Sequence, residues 1–242
     1  MKDDARVVVL IPARLDSSRL PAKQLRTVRG KALLWYLVER MSGVPEVDEV
    51  VIATTDRPTD DPLVDWAENR GIGAFRGANE NLLKRLKTAA TALNADVVVR
   101  ANGDNPLLAP EVTENGLAAL LKKGLEFTTG KGDYTDLPVG VGPELLEVST
   151  LPKLMSATTN RVERQHVTSY IFDHPDEFRW EPIPVDPEWA APELSVTVDT
   201  NADLYHVAGV IDALPDRHPS AWSVEEIIAA CRSIDKDDRN RN

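Results

Sequence analysis

Val7-Val8-Val9-Leu10-Ile11, running straight into Pro12-Ala13-Arg14-Leu15-Asp16-Ser17-Ser18-Arg19-Leu20-Pro21-Ala22-Lys23, is the stretch on which the fold turns. The apolar run shows no polar alternation. It reads as a strand covered on both faces, as strands are in parallel sheets lying between two layers of helices. The polar stretch begins where that strand ends, and open α/β sheets bind their ligands outside the carboxyl ends of their strands. Small residues at Ala13, Ser17 and Ser18 let backbone amides approach an anion. Arg14 and Arg19 can each fork two donors onto phosphate oxygens, and Lys23 supplies a mobile point charge. A solvated basic turn is the plain alternative, but three bases in ten residues directly after a buried strand favour a phosphate site. The glycines of a Walker loop or a dinucleotide-binding loop are absent.

The same grammar extends outward from this stretch. Residues 49–54 and 96–101 read as further buried strands, with a shorter one at 72–75. Amphipathic helices are expected over 31–42, 60–70, 79–93 and 110–123, the second ended by Gly71 and the last opened by Pro110. Such alternation gives an α/β fold, a mostly parallel central sheet with helices on both faces. After Gly124 the pattern shifts, with strands expected at 126–129, 145–148, 180–185 and 194–198 and helices at 151–157, 161–172, 203–214 and 224–233. The expected organisation is a single domain over 1–234, carrying a small inserted antiparallel, dimerising element at about 130–148, and a disordered polar tail over 235–242.

Thirty-nine acids against 28 bases give a net charge of −11. That balance excludes a phosphate-tracking nucleic-acid binder, whose basic surface supplies most of its affinity. A small anionic ligand stays open, because a local cluster of bases outweighs the global sign over short distances. Cys231 has no cysteine to pair with, which removes an intrachain disulfide and a Cys-rich zinc site. The apolar run 7–12, preceded by Lys2-Asp3-Asp4, is too short for a signal peptide, and no apolar stretch approaches the ~18–20 residues of a membrane span. The expectation is a cytoplasmic enzyme with neither a nucleic-acid nor a membrane partner.

The stretch 11–23 resembles the (I/Q)-x-A-R-x-x-S-x-R-L-P-x-K signature of cytidylyltransferases related to CMP-KDO and CMP-sialic acid synthetases, most closely their spore-coat polysaccharide SpsF-like subgroup. Further segments resemble that family in the same order. They are Phe75-Arg76-Gly77 with Asn81-Leu82-Leu83-Lys84-Arg85, Arg100-Ala101-Asn102-Gly103-Asp104-Asn105-Pro106-Leu107, Glu163-Arg164-Gln165-His166-Val167-Thr168 and Val198-Asp199-Thr200-Asn201-Ala202-Asp203-Leu204. The resemblance spans about residues 7–214. It implies a Rossmann-like nucleotidyltransferase (GT-A-like) fold, CTP as the nucleotide substrate and a homodimeric protein; the apolar stretch 140–148 is the expected dimer element.

By this resemblance, Pro12, Ala13, Arg14, Ser18, Arg19, Lys23, Asn81, Arg85, Asn102 and Asp104 bind the nucleotide, with Arg14, Lys23 and Asp104 catalytic. Asp104 and Asp199 each follow a strand-like run, and two carboxylates with triphosphate oxygens and waters make a Mg²⁺ site. The family assigns that metal to the corresponding aspartates. Asp104 can alternatively be a turn residue, Asp199 a helix cap, and Asp203 the second ligand. Glu144, Arg161, Arg164 and His166 are the implied acceptor-site residues. Asn81 and Arg85 lie one turn apart on one helical face. Pro138-Val139-Gly140-Val141-Gly142-Pro143-Glu144-Leu145 departs from the family's P-D-G-L-D-V-E-V, with Val139 and Gly142 at positions where relatives carry Asp. The implied reaction is transfer of CMP from CTP to a small acidic acceptor, a phosphonate or a 2-keto-3-deoxy sugar acid, with release of pyrophosphate. A non-catalytic nucleotide-binding protein and a nucleotide-sugar glycosyltransferase are the alternatives, the latter lacking a D-x-D motif at Asp104-Asn105-Pro106.

Overall fold

Strand β1 (Val7–Pro12) lies at the centre of a seven-stranded sheet, and its five apolar residues are at most 2% exposed. In the computed structural model, which describes residues 5–158 and 160–241 with side chains as far as residue 236, the chain continues through a short antiparallel hairpin, β2 (Thr27–Val28) and β3 (Lys31–Ala32). Helix α1 (Leu33–Ser42), β4 (Glu49–Thr55), α2 (Asp61–Glu68), β5 (Gly73–Gly77), α3 (Leu82–Ala92), β6 (Val97–Arg100) and α4 (Pro110–Lys123) complete the first half. The second half holds β7 (Phe127–Thr129), α5 (Gly132–Thr135), β8 (Glu144–Glu147), α6 (Thr150–Ala157), α7 (Arg161–Gln165), α8 (Ser169–Asp173), β9 (Trp180–Pro182), α9 (Asn201–Ala213) and α10 (Val224–Arg241). The Lys2-Asp3-Asp4 stretch lies outside the described residues.

The sheet order is β5-β4-β1-β6-β8-β7-β9, and β8 alone runs against the others. Successive β1 side chains serve opposite layers. Val7, Val9 and Ile11 pack with residues of α1, α2, α4, α9 and α10, whereas Val8 and Leu10 pack with α3, α6 and α8. Burying each such side chain stabilises the fold by about 1.5–3 kcal/mol, which is why a run without polar alternation sits in the middle. The mostly parallel sheet with helices on both faces is as expected.

Several local expectations change. The helix expected over 31–42 starts two residues later, because Arg29 and Gly30 take left-handed φ of 49° and 71° and turn the β2–β3 hairpin. The helix expected over 161–172 breaks into α7 and α8, where Val167 and Thr168 turn inward and become buried. Stretch 194–198 is extended, with Leu194, Val196 and Val198 buried alternately, yet it forms only the single bridge Val139–Ser195 rather than a ladder. The strand expected over 180–185 shortens to β9. The inserted antiparallel element delivers β8 into the sheet interior between β6 and β7. Its apolar residues Val141, Leu145 and Leu146 are fully buried in the chain's own core, while Val139 of the same element is exposed. The stretch expected as a disordered tail is helical in its backbone through Arg241, since extending a helix from a packed base costs little once it is nucleated; Asn242 lies outside the described residues.

Candidate active site

The loop after β1 closes on itself, the Ala22 N–H donating to the Leu15 carbonyl at 3.0 Å. Ala22 takes a left-handed φ of 54°, and the turn it makes sends Lys23 inward, where it is only 6% exposed. The loop after β6 packs against it. Gly103 donates its N–H to the Pro12 carbonyl at 3.2 Å, and a Cβ on Gly103 would stand 2.9 Å from that oxygen. Glycine is therefore what lets the two loops meet and brings Asp104 to Lys23.

A third segment completes the cluster. The extended stretch 194–198 crosses the sheet edge, Val198 N–H donating to the Asp104 carbonyl at 2.9 Å, and carries Asp199 to the same place. Lys23 Nζ donates to Asp104 Oδ2 and to Asp199 Oδ1, both at 2.8 Å, and Arg19 reaches Asp199 Oδ2 at 3.0 Å. Asp199 is not the cap of α9. Thr200 is, in a capping box whose other half is Asp203, accepting the N–H groups of Thr200 and Asp199 at 2.8 and 3.0 Å. Burial pushes the Asp203 carboxyl up, but those backbone donors outweigh it and hold the group below the usual carboxylate range. Asp203 is thus committed locally, and Asp199 faces the cluster.

Asp104 and Asp199 fit a hard divalent cation in donor chemistry, since both carboxylates converge on one point and each offers oxygen. No group of three or more His, Cys, Asp or Glu suited to a metal exists among the described residues, so the remaining oxygens would have to come from a ligand or water.

Arg14 lies half-exposed on the rim, 3.3 Å from Asp16, and Ser18 is exposed on the outer arc. Arg85 comes from α3 and is only 4% exposed, yet its Nε and Nη1 have no hydrogen-bond partner among the described residues. Burial first, and then the charge of Arg14, hold its guanidinium down to about 10. A buried cation with idle donors is uncommon, and none of the described residues supplies the missing acceptors. Asn81 precedes Arg85 by one turn, its carbonyl accepting the Arg85 N–H at 3.0 Å. Asn81 is the N-cap of α3, its Oδ1 accepting the Lys84 N–H at 2.8 Å.

Beyond Asp104 opens a cavity of about 480 Å³ whose lining includes Asn102, Asp104, Glu144, Thr168, Thr197, His166 and Lys131. Glu144 is buried and doubly held, by Arg100 through an ion pair and by the Thr168 hydroxyl at 2.8 Å. The break between α7 and α8 is what delivers Thr168 there. Gly142 passes so close to Gly130 that a Cβ would lie 1.8 Å from the Gly130 carbonyl oxygen, so the backbone crossing itself forbids an aspartate at this position.

Of the residues implied for the acceptor, Glu144 and His166 line this cavity, and Arg161 and Arg164 do not. Arg161 is mostly exposed and pairs with Glu80 at 2.8 Å, while Arg164 spends its donors on the Thr158 carbonyl at 3.0 and 3.3 Å. Both belong to short α7, which points them back toward their own neighbours. Arg100 and Lys131 are the cations the sequence reading missed here. Arg100 was visible as the polar end of an apolar strand, whereas nothing in the spacing marked Lys131. A larger cavity of about 880 Å³ lies between α1 and α2, lined in part by Trp35 and Trp66, and shares no residue with this cluster.

A family model described as cytidylyltransferase matches residues 8–212. The chain belongs to the cytidylyltransferase family. It is 31% identical over 214 residues to the spore coat polysaccharide biosynthesis protein SpsF of Bacillus subtilis, covering 84% of this chain and 88% of that protein. A cytidylyltransferase structure from Leptospira borgpetersenii superposes with a TM-score of 0.89 at 26% identity, over 96% of both chains. CMP:2-keto-3-deoxy-manno-octonic acid synthetase complexed with CTP shares the fold, with a TM-score of 0.67 at 20% identity over 86% of this chain and 99% of that one. The fold expected for the cytidylyltransferase is thereby found, and its activity class is nucleotidyl transfer.

Proposed function

We propose that this cytidylyltransferase transfers CMP from CTP to a small acidic acceptor, a phosphonate or a 2-keto-3-deoxy sugar acid, in a Mg²⁺-dependent reaction that releases pyrophosphate. The observation that carries the reading is the position of Asp104. It touches Lys23 of the cation-bearing loop on one side and lines the 480 Å³ cavity on the other, so a nucleotide and an acceptor would meet at it.

In the reaction, an acceptor oxygen forms a bond to the α-phosphorus and the bond from that phosphorus to the bridging oxygen breaks, the electron pair leaving with pyrophosphate. Catalysis of such a step is mostly positioning and charge neutralisation. Arg14, Arg19 and Lys23 bear the charge that gathers on the leaving group. Asp104 and Asp199 would hold Mg²⁺, which when bound supplies neutralisation of phosphate-oxygen charge. Arg85 offers its idle N–H donors to the nucleotide. On the acceptor side, Lys131 pairs with Asp133 at 3.2 Å with both side chains more than half exposed, a surface pair of small worth that an anionic acceptor can displace. Deeper in, Asn102 and Thr197 would meet the acceptor's hydroxyl groups, against a wall that Glu144 helps to form.

The test is pyrophosphate release and ³¹P product analysis with CTP, UTP, ATP and GTP in parallel, against a panel of sugar acids and phosphonates. Turnover with CTP and an acidic acceptor is expected. Equal use of all four nucleotides would discard the cytidyl assignment, and no release with any pair would favour a binding protein. Asp104→Asn should lower turnover by about a hundredfold or more while leaving Tm unchanged, and undiminished turnover would remove Asp104 from the mechanism.

A further inference from the structure

Asp60 has a carboxylate that is completely buried, 0% exposed, and lies outside both the phosphate cluster and the acceptor cavity. Burying an ionised carboxylate is expensive, and a chain that keeps one surrounds it with donors. Asp60 stands at the N-cap position of α2, where an aspartate ordinarily accepts an N–H of the first helical turn, yet its side chain makes no cap hydrogen bond. Both oxygens are directed elsewhere. Oδ1 accepts the backbone N–H of Leu15 at 2.8 Å, and Oδ2 accepts the buried hydroxyl of Thr55.

The Leu15 N–H belongs to the peptide that joins Leu15 to Arg14. From the same carboxylate a second route leads to the same arginine. The Arg57 guanidinium lies 3.7 Å from Asp60 Oδ2 and 2.7 Å from Asp16 Oδ2, and the other oxygen of Asp16 lies 3.3 Å from Arg14 Nε. Asp16 and Asp60 together push the Arg57 guanidinium up, with Asp16 dominant. Backbone and side chain of Arg14 are therefore both tied to one buried group that is 46 positions away in the chain, from Arg14 to Asp60.

We propose that Asp60 is a positioning residue for the nucleotidyl-transfer reaction, fixing Arg14 through the Leu15 N–H and through the Arg57–Asp16 ion pairs so that its guanidinium is preorganised for the triphosphate. The proposal rests on the cytidylyltransferase reading above. Asp60 touches no reacting atom; its effect passes through Arg14. A misplacement of about 1 Å at such a site costs roughly a hundredfold in rate, which sets the scale.

The test is a double-mutant cycle on the full chain, with kcat, KM for CTP and Tm measured for the wild type, Asp60→Asn, Arg14→Ala and the double variant. Asp60→Asn preserves shape and one acceptor oxygen while removing the buried charge that lies 3.7 Å from Arg57. It should lower kcat by about tenfold to a hundredfold, raise KM for CTP less, and change Tm little. In the Arg14→Ala background the same substitution should cost threefold or less, because the group it acts through is gone. Equal kcat for Asp60→Asn and wild type, or full additivity in the double variant, overturns the inference while leaving the parent reading intact. Wild-type protein that neither binds nor turns over CTP overturns both. Should Asp60→Asn fail to fold, half-exposed Asp16→Asn breaks the same chain without touching the core. It should lower kcat by a smaller factor that again vanishes without Arg14, and an undiminished kcat there counts against the proposal.

Discussion

The two halves of the proposed site, one for the nucleotide and one for the acceptor, are built on opposite electrostatic plans. On the nucleotide side, Arg85 is buried beside the charge of Arg14, and two of its nitrogens, Nε and Nη1, have no hydrogen-bond partner among the described residues. On the acceptor side, Glu144 and Arg100 pair with both side chains mostly buried, Thr168 donates to the second carboxylate oxygen, and of the pair's buried nitrogens and oxygens only Arg100 Nε has no hydrogen-bond partner among the described residues. The first half carries unspent charge for an anion of fixed form. The second has closed its strongest charges on themselves and leaves hydroxyls, amides and a surface lysine to meet its ligand. A site with unspent charge trades stability for affinity, and one closed on itself gains stability and takes its selectivity from shape and hydrogen bonds. Substitutions on the two sides should then separate stability from binding in opposite directions.

Glu144→Ala carries the largest expected effect. It leaves Arg100 buried without its carboxylate and strips Thr168 of its acceptor, so it should destabilise the fold by about 3–5 kcal/mol. Urea denaturation measures this, and Glu144→Gln, which keeps the volume and one of the two acceptor oxygens, should recover part of it. A loss in Glu144→Ala no greater than a surface substitution would mean that the acceptor side is not closed on itself and that the contrast fails.

The same contrast explains what was legible in the sequence. The first half of the sheet could be read because its strands, β1, β4 and β6, are buried on both faces and so lack polar alternation, and because Arg14, Arg19 and Lys23 fall within one loop. Asp104 and Asp199 were visible as acids after apolar runs. That Asp199 rather than Asp203 faces the cluster is decided by the capping box, which depends on the backbone angles of Thr200 and not on composition. The acceptor side comes from β6, β8, the loop containing Lys131 and the break after α7, four segments whose meeting no local pattern announces. Arg161 and Arg164 read as acceptor residues because they sit beside His166 in sequence. The inward turn of Val167 and Thr168 takes the chain into the cavity only after both arginines have been left outside it. Asp60 was read only as the start of a helix, since its partner Leu15 lies 45 positions away.

On the nucleotide side, Arg85→Met should give a middle-sized effect of the opposite character. Arg85 is charged in both folded and unfolded protein at neutral pH, and its folded-state value is pulled down to about 10, so its charge costs stability in the folded chain. A methionine of similar length relieves that cost, and apo Tm should stay level or rise. Affinity for CTP, measured by titration calorimetry, should fall about tenfold to a hundredfold, as loss of a charge-assisted hydrogen bond predicts. A fall in Tm together with unchanged CTP affinity would reassign Arg85 to the core and leave the nucleotide side without its unspent charge.

The smallest expected effect is the sharpest check on where the acceptor side ends. Arg161→Ala removes an arginine whose side chain is 69% exposed and whose partner Glu80 is 64% exposed. Such a pair is worth at most about 1 kcal/mol and commonly nothing measurable, because water screens it and two long side chains lose freedom in holding it. Stability and KM for the acceptor should both stay within twofold of wild type. Lys131→Ala, at the cavity mouth, should by contrast raise the acceptor KM several-fold without moving the CTP KM. If Arg161→Ala and Lys131→Ala behave alike, α7 swings toward the cavity when acceptor binds, and the boundary drawn by Thr168 is a property of the free protein alone. If they differ as expected, the cation that an acidic acceptor meets comes from the loop before α5, a segment whose sequence departs from its relatives a few residues later at Val139 and Gly142.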